Sequence, residues 1–355
     1  KMNKIINILK EKKSIPLDKF INIALYNKKF GYYMKNNPFG KEGDFITAPM
    51  ISNLFGEMLA IWCVSFWESV GKPSKILLVE LGPGDGSLCK NLLKTFKQFR
   101  NFYNSLEINL LETSDKLKII QKAKINNKKV KWIKNINNIN YGPIIFLGNE
   151  FFDALPVKQI YKKKKLFFEK YVALSNDNKK IKFLNRKANH SLVKNIQNLN
   201  LISEGNTIEY PVEAIKFLEI ISKKINKFDG GLLAFDYGYK IKKNQDTLQS
   251  VRRHRYFDLF SSPGNSDITS HINFKLFHKI LKKNNLNVKK IAKQNEFLKK
   301  MGILERANIL SKKMTFKEKA NMFYRLKRLL NPREMGDIFK VIFARKKNNN
   351  FSLGF

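Results

Sequence analysis

The residues best suited to chemistry lie where apolar runs stop. In Val79-Glu80-Leu81-Gly82-Pro83-Gly84-Asp85-Gly86-Ser87 a buried-strand pattern runs straight into glycines at alternate positions, with a helix expected at once. Glycine there allows a tight turn and lets a ligand lie against the backbone, near the positive end of the coming helix. The spacing is GxGxG, not the GxGxxG of the hydride-transfer fingerprint. Glu80, two residues before the first glycine, supplies an acid that could hold an ammonium group. A dinucleotide needs donors for its pyrophosphate, whereas S-adenosylmethionine (SAM) carries a cationic amino acid tail. Glu80 with Gly82, Gly84 and Gly86 therefore favours SAM, with a dinucleotide or a bare turn as the alternatives.

Further polar residues fall at the ends of other apolar runs. Glu112 follows Ile108–Leu111, where an acid can bond both ribose hydroxyls; it could equally cap the helix start at Thr113-Ser114-Asp115. Asn135, after the next strand, is the candidate for reading the adenine. The run Ile144–Leu147 leads into Gly148-Asn149-Glu150-Phe151-Phe152-Asp153-Ala154-Leu155-Pro156. In open α/β sheets the reacting groups lie beyond the carboxyl ends of the strands, so Asn149, Glu150 and Asp153 would project there while Phe151 and Phe152 exclude water. Two carboxylates three residues apart suit a cationic acceptor; the plainer alternative is a polar strand end with two core aromatics. Two later segments are dense in functional types: residues 247–256 hold three of the ten arginines, and residues 267–274 place His271 among hydroxyls and Asp267. A single histidine is also commonly just a hydrogen-bonded residue.

The elements that must position these residues follow from periodicity. Residues 1–70 read as helices around one loop, with Ile5, Ile6, Leu9 and then Phe20, Ile21, Ala24, Leu25 at helical spacing, and a further helix from Ile51 to about Ser69. From residue 75 strands alternate with helices: 76–81, 108–111, 130–133, 144–147, 231–235 and a last strand at 338–344. Such alternation predicts an α/β fold, a mostly parallel Rossmann-like sheet with helices on both faces. Residues 157–228 break the rhythm and read as an inserted subdomain, so the core is 71–156 with 229–355, preceded by the helical and lid segment 1–70. Residues 275–330 read as mainly helical.

The 355 residues are 43% hydrophobic, ample for a buried core, which excludes general disorder. Lys and Arg outnumber Asp and Glu by 68 to 29, a net charge of +39. That balance would ordinarily point to a polyanion. Nearly all the excess is Lys, scattered and accompanied by abundant Asn and Ile, so compositional bias explains it better and a nucleic-acid partner is not expected. Cys63 and Cys89 form neither a CxxC nor a Cys/His spacing, so no disulfide framework and no metal site are expected. No apolar run approaches the roughly 20 residues of a membrane-spanning helix. With no Arg before Arg100 and no secretory apolar core, a bacterial cytoplasm is the expected address.

Taken in order, several blocks resemble the MidA-like family of SAM-dependent methyltransferases. They are Gly31-Tyr32-Tyr33-Met34, Gly43-Asp44-Phe45-Ile46-Thr47-Ala48-Pro49, Leu54-Phe55-Gly56-Glu57, Glu80-Leu81-Gly82-Pro83-Gly84, Asn149 to Pro156, Asp236-Tyr237-Gly238, Val251 to Tyr256, Asp267 to Phe274 and Met335 to Val341. The chain departs from the family at Met50, where Glu is usual, and at Asp85, where Arg is common. The resemblance implies a class I methyltransferase fold, SAM as cofactor, and methyl transfer to an arginine of a protein, in relatives the 49-kDa subunit of respiratory complex I, supporting its assembly. It implies the mitochondrial matrix for a eukaryotic host. It places the loop 44–49 as a lid over the cofactor, with Thr47 among the cofactor-binding residues beside Glu80, Gly82, Gly84, Gly86, Glu112 and Asn149. On that reading Glu150 and Asp153 grip the guanidinium, and His271 stands at the rim as a proton acceptor. A SAM-fold assembly factor without catalysis and an RNA methyltransferase are the competing readings.

Overall fold

The computed structural model describes residues 2–35, 38–40, 43–44, 47–178, 180–201, 207–240, 246–253 and 255–355. Phe45 and Ile46 of the lid block and His254 of the arginine-rich block lie outside them. The central sheet has seven principal strands, numbered here in chain order: β1 Ile76–Leu81, β2 Leu106–Leu111, β3 Val130–Ile133, β4 Ile144–Asn149, β5 Gly230–Tyr239, β6 Leu286–Val288 and β7 Phe339–Lys346. Their spatial order is β6-β7-β5-β4-β1-β2-β3. β1 to β5 run parallel, while β7 pairs antiparallel with both β5 and β6. The sequence pattern locates six of these seven strands to within a few residues. β6, three residues long, falls inside the region read as helical, being too short to show a period of two.

Alternation along the strands decides what each face meets. Ile76 and Leu78 join one apolar layer with the helix Asn53–Ser69 and the helix Ser87–Phe96, while Leu77, Val79 and Leu81 join the other, under the helices Val212–Phe228 and Phe274–Lys283. The same parity holds in β4, where Ile145 and Leu147 face the first layer and Ile144 and Phe146 the second. Extending it by one step puts Glu80, Glu112 and Asn149 on the first face, each two residues beyond a core residue (Leu78, Leu110, Leu147). Three polar residues are thus delivered side by side at the carboxyl ends of adjacent strands. The chain reverses direction across the sheet between β1 and β4, the switch point at which such sheets bind ligands.

The segment 157–228 supplies two different things. Strands Lys158–Lys163, Leu166–Leu174, Ile181–Lys187 and Thr207–Tyr210 form an antiparallel sheet, completed by Ser14–Pro16 from the N-terminal segment. The helix Val212–Phe228 instead buries Ala214, Leu218, Ile221 and Ile225 against the central sheet. In the N-terminal segment, Leu17–Tyr26 packs on the accessory sheet, whereas Asn53–Ser69 belongs to the central core. We therefore propose 2–26 with 158–210 as the accessory unit. Lys158 fastens it together, with Nζ at 2.9 Å from Asp18 Oδ1 and 2.5 Å from Glu169 Oε1. A three-stranded sheet, Gln249–Arg252, Arg255–Phe257 and Asp267–Thr269, lies beyond β5. Among the described residues no helix is long and apolar enough to cross a membrane.

Candidate active site

A cavity of about 510 Å³ opens over the carboxyl ends of β1, β2 and β4, a size ordinary for a cofactor cleft. Thr47, Glu80, Gly82, Gly84, Glu112, Asn149, Glu150 and Asp153 all line it. Gly82 and Gly84 have φ of 62° and 56°, and a Cβ at Gly82 would stand 2.8 Å from Phe151 Cδ2. Both positions thus need glycine, one for conformation and close ring packing, the other for conformation and the approach of Phe39 at 3.2 Å. Gly86 lies outside the lining and serves as the N-cap of the helix Ser87–Phe96. Asp85 accepts the Ser87 N–H at 2.9 Å and pairs with Lys124, so the acid that replaces the family's arginine is neutralised locally.

Glu80 is 3% exposed, and its Oε2 has no hydrogen-bond partner. Burial, with the Asp85 charge behind it, pushes its carboxyl up to about 8. A buried acceptor without a donor is costly, and a cationic ligand would relieve it. Glu112 caps a helix start and lines the cavity as well. Its Oε1 caps the helix start by accepting Ser114 N–H at 2.7 Å, and Oε2 accepts Gln121 Nε2 at 3.0 Å, while the residue still faces the cavity. Gln121 also donates to the Gly84 carbonyl at 2.7 Å, tying the acid to the glycine turn. Asn135 is exposed and caps its own turn through Asn137 N–H; the residue that reaches the cavity there is its neighbour Lys134.

The second half of the cavity is built by the turn after β4. Glu150 adopts φ 53°, its N–H bonds the Phe235 carbonyl at 2.9 Å, and its carboxylate receives the Asn149 amide and the Ala48 N–H. The latter bond ties the short helix Ala48–Ile51, which follows Thr47, to the turn after β4. Asn149 Oδ1 is buried without a partner. Burial and the neighbouring Asp153 raise Glu150 to about 8, and burial raises Asp153 to about 6. Asp153 Oδ2 accepts from Tyr237 Oη at 2.8 Å, and its Oδ1 has no partner.

His271 is not brought to this cavity. Its N–H bonds Thr247 Oγ1 at 2.9 Å and its ring packs edge-on against Tyr237, centroids 5.3 Å apart, so Tyr237 stands between it and Asp153. Burial and Lys340 lower its imidazole below the ordinary range. Sequence reading missed Tyr26, Tyr33, Tyr237 and Asp267 as lining residues, and Asp236, which accepts the N–H groups of Phe152 and Asp153 at 3.0 and 3.3 Å. All but Tyr26 lie in blocks singled out above; the signal was the block, without a way to say which side chain turned inward.

The family profile Methyltransf_28, S-adenosyl-L-methionine-dependent methyltransferase, matches residues 58–292. The protein arginine methyltransferase NDUFAF7, mitochondrial, of Xenopus laevis is 31% identical over 98% of this chain and 85% of its own. The Homo sapiens protein of the same name is 29% identical over 92% and 78%. A crystal structure of a Burkholderia thailandensis protein bound to S-adenosyl-homocysteine superposes with a TM-score of 0.83 at 23% identity, covering 98% of this chain and 92% of that one.

Proposed function

The chain belongs to the Methyltransf_28 family of SAM-dependent methyltransferases, and from that premise we propose that it methylates an arginine side chain of a protein substrate. The observation that carries this reading is a reversal of composition. In a chain of net charge +39, seven acidic side chains and two lysines line the cavity. A guanidinium entering that lining lets its buried acids ionise against a cation, whereas a polyanionic acceptor such as RNA offers them none.

When bound, SAM supplies a methyl group already activated on a sulfonium. The residues then have three tasks. Glu80 takes the ammonium and Glu112 the ribose hydroxyls, over the backbone of Gly82 and Gly84, with Gly86 starting the helix and Asn149 and Thr47 closing the sides. Glu150 and Asp153 orient the acceptor. A guanidinium, with a pKa above about 12, has no free lone pair in water, and carboxylates that hold the other two nitrogens concentrate its charge there. The N–C bond then forms as the C–S bond breaks, sulfur keeps the electron pair, and the nitrogen's proton passes to a carboxylate. Alignment of this kind is worth on the order of 7–11 kcal/mol. His271, behind Tyr237, is left out of the set. The 49-kDa subunit of complex I is the first substrate to test, on the resemblance set out above, in the mitochondrial matrix of a eukaryote or the cytoplasm of a bacterium.

The test supplies the purified protein with methyl-labelled SAM and that subunit, then identifies the labelled residue after acid hydrolysis. Labelled methylarginine is the expected product. Label on lysine or on RNA, or tight SAM binding with no transfer, would sink the reading.

A further inference from the structure

Two carboxylates in the acceptor half of the cavity are built alike although they come from different parts of the chain. Asp153, after β4, holds Tyr237 through Oδ2, and Asp267, first residue of the strand Asp267–Thr269, holds the Tyr33 hydroxyl and the Ile268 N–H. In each, Oδ1 is buried without a partner, and the residues are 6% and 2% exposed. Both line the cavity, as do both tyrosines. Among the described residues neither acid forms an ion pair, and the Asp153 charge helps to raise the Asp267 carboxyl, as does Asp44 from the lid side. Two buried acceptor oxygens without donors cost stability that nothing within the described fold returns. A cation entering between them would.

We propose that Asp153 and Asp267 are the two jaws of a guanidinium clamp, each aimed by its tyrosine, and that Asp267 thereby selects arginine over lysine. This rests on the arginine reading above. A guanidinium offers five N–H donors on three nitrogens, so Asp153 and Asp267 can grip two of them and leave the third to face the methyl group, with Glu150 as the carboxylate that takes its proton. A lysine has one nitrogen, and carboxylates that grip it hold its proton on the atom that must react. The same pair therefore helps one acceptor and blocks the other. Tyr33 belongs to the N-terminal segment, which makes the clamp a joint product of that segment, the turn after β4 and the outer three-stranded sheet.

The test is calorimetric binding of Nα-acetyl-arginine methylamide, and of its citrulline and lysine counterparts, to the full chain saturated with S-adenosyl-homocysteine. The arginine compound should bind, and citrulline, a neutral isostere, should bind at least about tenfold more weakly. Asp267→Asn should weaken the arginine compound by about tenfold or more while S-adenosyl-homocysteine affinity stays within about twofold, a control for folding. Tyr33→Phe, which keeps the carboxylate but frees it, should fall between. Equal binding of citrulline, no binding of the arginine compound, or full affinity in either variant overturns the clamp. In transfer assays Asp267→Asn should raise KM for the protein substrate more than it lowers kcat. Methylarginine formed by that variant with unchanged KM and kcat overturns the clamp alone, whereas labelled protein without methylarginine from the unaltered chain overturns the arginine reading itself.

Discussion

Tyr237 donates its hydroxyl to Asp153 at 2.8 Å across the ends of two neighbouring parallel strands, while Asp236 beside it takes the backbone N–H groups of Phe152 and Asp153 on the opposite face. Successive residues of β5 thus hold the turn after β4 from both sides. Phe235 completes the grip by accepting the Glu150 N–H. The left-handed conformation of Glu150 is unfavourable for a residue with a Cβ, and these bonds are what over-determine it. The turn that carries two of the proposed acceptor carboxylates is therefore fixed before any ligand arrives.

Glu150→Gln keeps the shape of that turn and its bond to Ala48 but removes the charge. It should lower kcat by at least about a hundredfold with SAM affinity changed less than about threefold, because the charge serves the acceptor and not the cofactor. Steady-state kinetics beside SAM titration decide it. Parallel loss of SAM binding would move Glu150 into the cofactor half of the site.

Gly82 and Gly84 make separable demands. Gly82→Ala drives a Cβ toward the Phe151 ring at 2.8 Å at a φ of 62°, whereas Gly84→Ala meets Phe39 at 3.2 Å at a similar φ. Each left-handed alanine costs about 1–2 kcal/mol, and the Gly82 variant adds a displaced Phe151. Thermal melts should therefore rank Gly82→Ala below Gly84→Ala, with SAM binding weakened in both. The reverse ranking would mean that Phe151 yields without cost.

Among the described residues Lys158 is the cation within ion-pair distance of both Asp18 and Glu169, whose side chains are 10% and 4% exposed. Lys158→Met leaves two carboxylates together in poor solvent and should destabilise by about 2–4 kcal/mol, less than a fully buried pair because the lysine itself is 18% exposed. The helix Leu17–Tyr26 that this triad anchors also carries Tyr26, whose hydroxyl bonds the Ala154 carbonyl at 3.0 Å. Urea denaturation should show the loss. An unchanged midpoint would mean that the triad is structurally idle.

Much of this site is legible in the sequence. Glu80, Glu112 and Asn149 could be placed because a strand of period two followed by polar residues fixes both depth and face, and Gly82 and Gly84 because a strand-to-helix turn leaves few alternatives. Asp267 and Tyr33 could not. They reach the cavity through the pairing of Gln249–Arg252 with Asp267–Thr269 and through the packing of the N-terminal segment, contacts between residues far apart in sequence that no local period encodes. His271 fails for the complementary reason: its block does reach the site, but Asp267 turns inward while His271 lies behind Tyr237. The helix Val212–Phe228 lies within the residues 157–228 that break the strand–helix rhythm, and its buried face shares a core with both the central sheet and the accessory strands.

The carboxylates of the cavity should make the free protein less stable as pH rises, and ligand binding stronger. Glu80, Glu150 and Asp267 are raised to about 8 and Asp153 to about 6, against roughly 4 for an unfolded carboxyl. Between about pH 5 and pH 8 the folded state therefore holds protons that the unfolded chain has released. The slope of unfolding free energy with pH is then negative, and stability present at the acid end is lost toward pH 8. His271 and His278, lowered by burial, act in the opposite sense below the ordinary imidazole value of about 6.5, so the window from about pH 7 to 8 isolates the carboxyls. The melting temperature of the free protein should fall across that window. SAM affinity should rise across it, by up to about tenfold per pH unit for each proton released, since the proposed ammonium partner Glu80 must ionise to bind. Calorimetry in phosphate and in Tris would report that proton directly, as a difference in apparent binding enthalpy. Glu80→Gln should weaken SAM and remove its share of both slopes. A melting temperature that rises from pH 7 to 8, with SAM affinity flat, would mean that these acids are already ionised in the free protein and that the cavity is negative without any ligand to make it so.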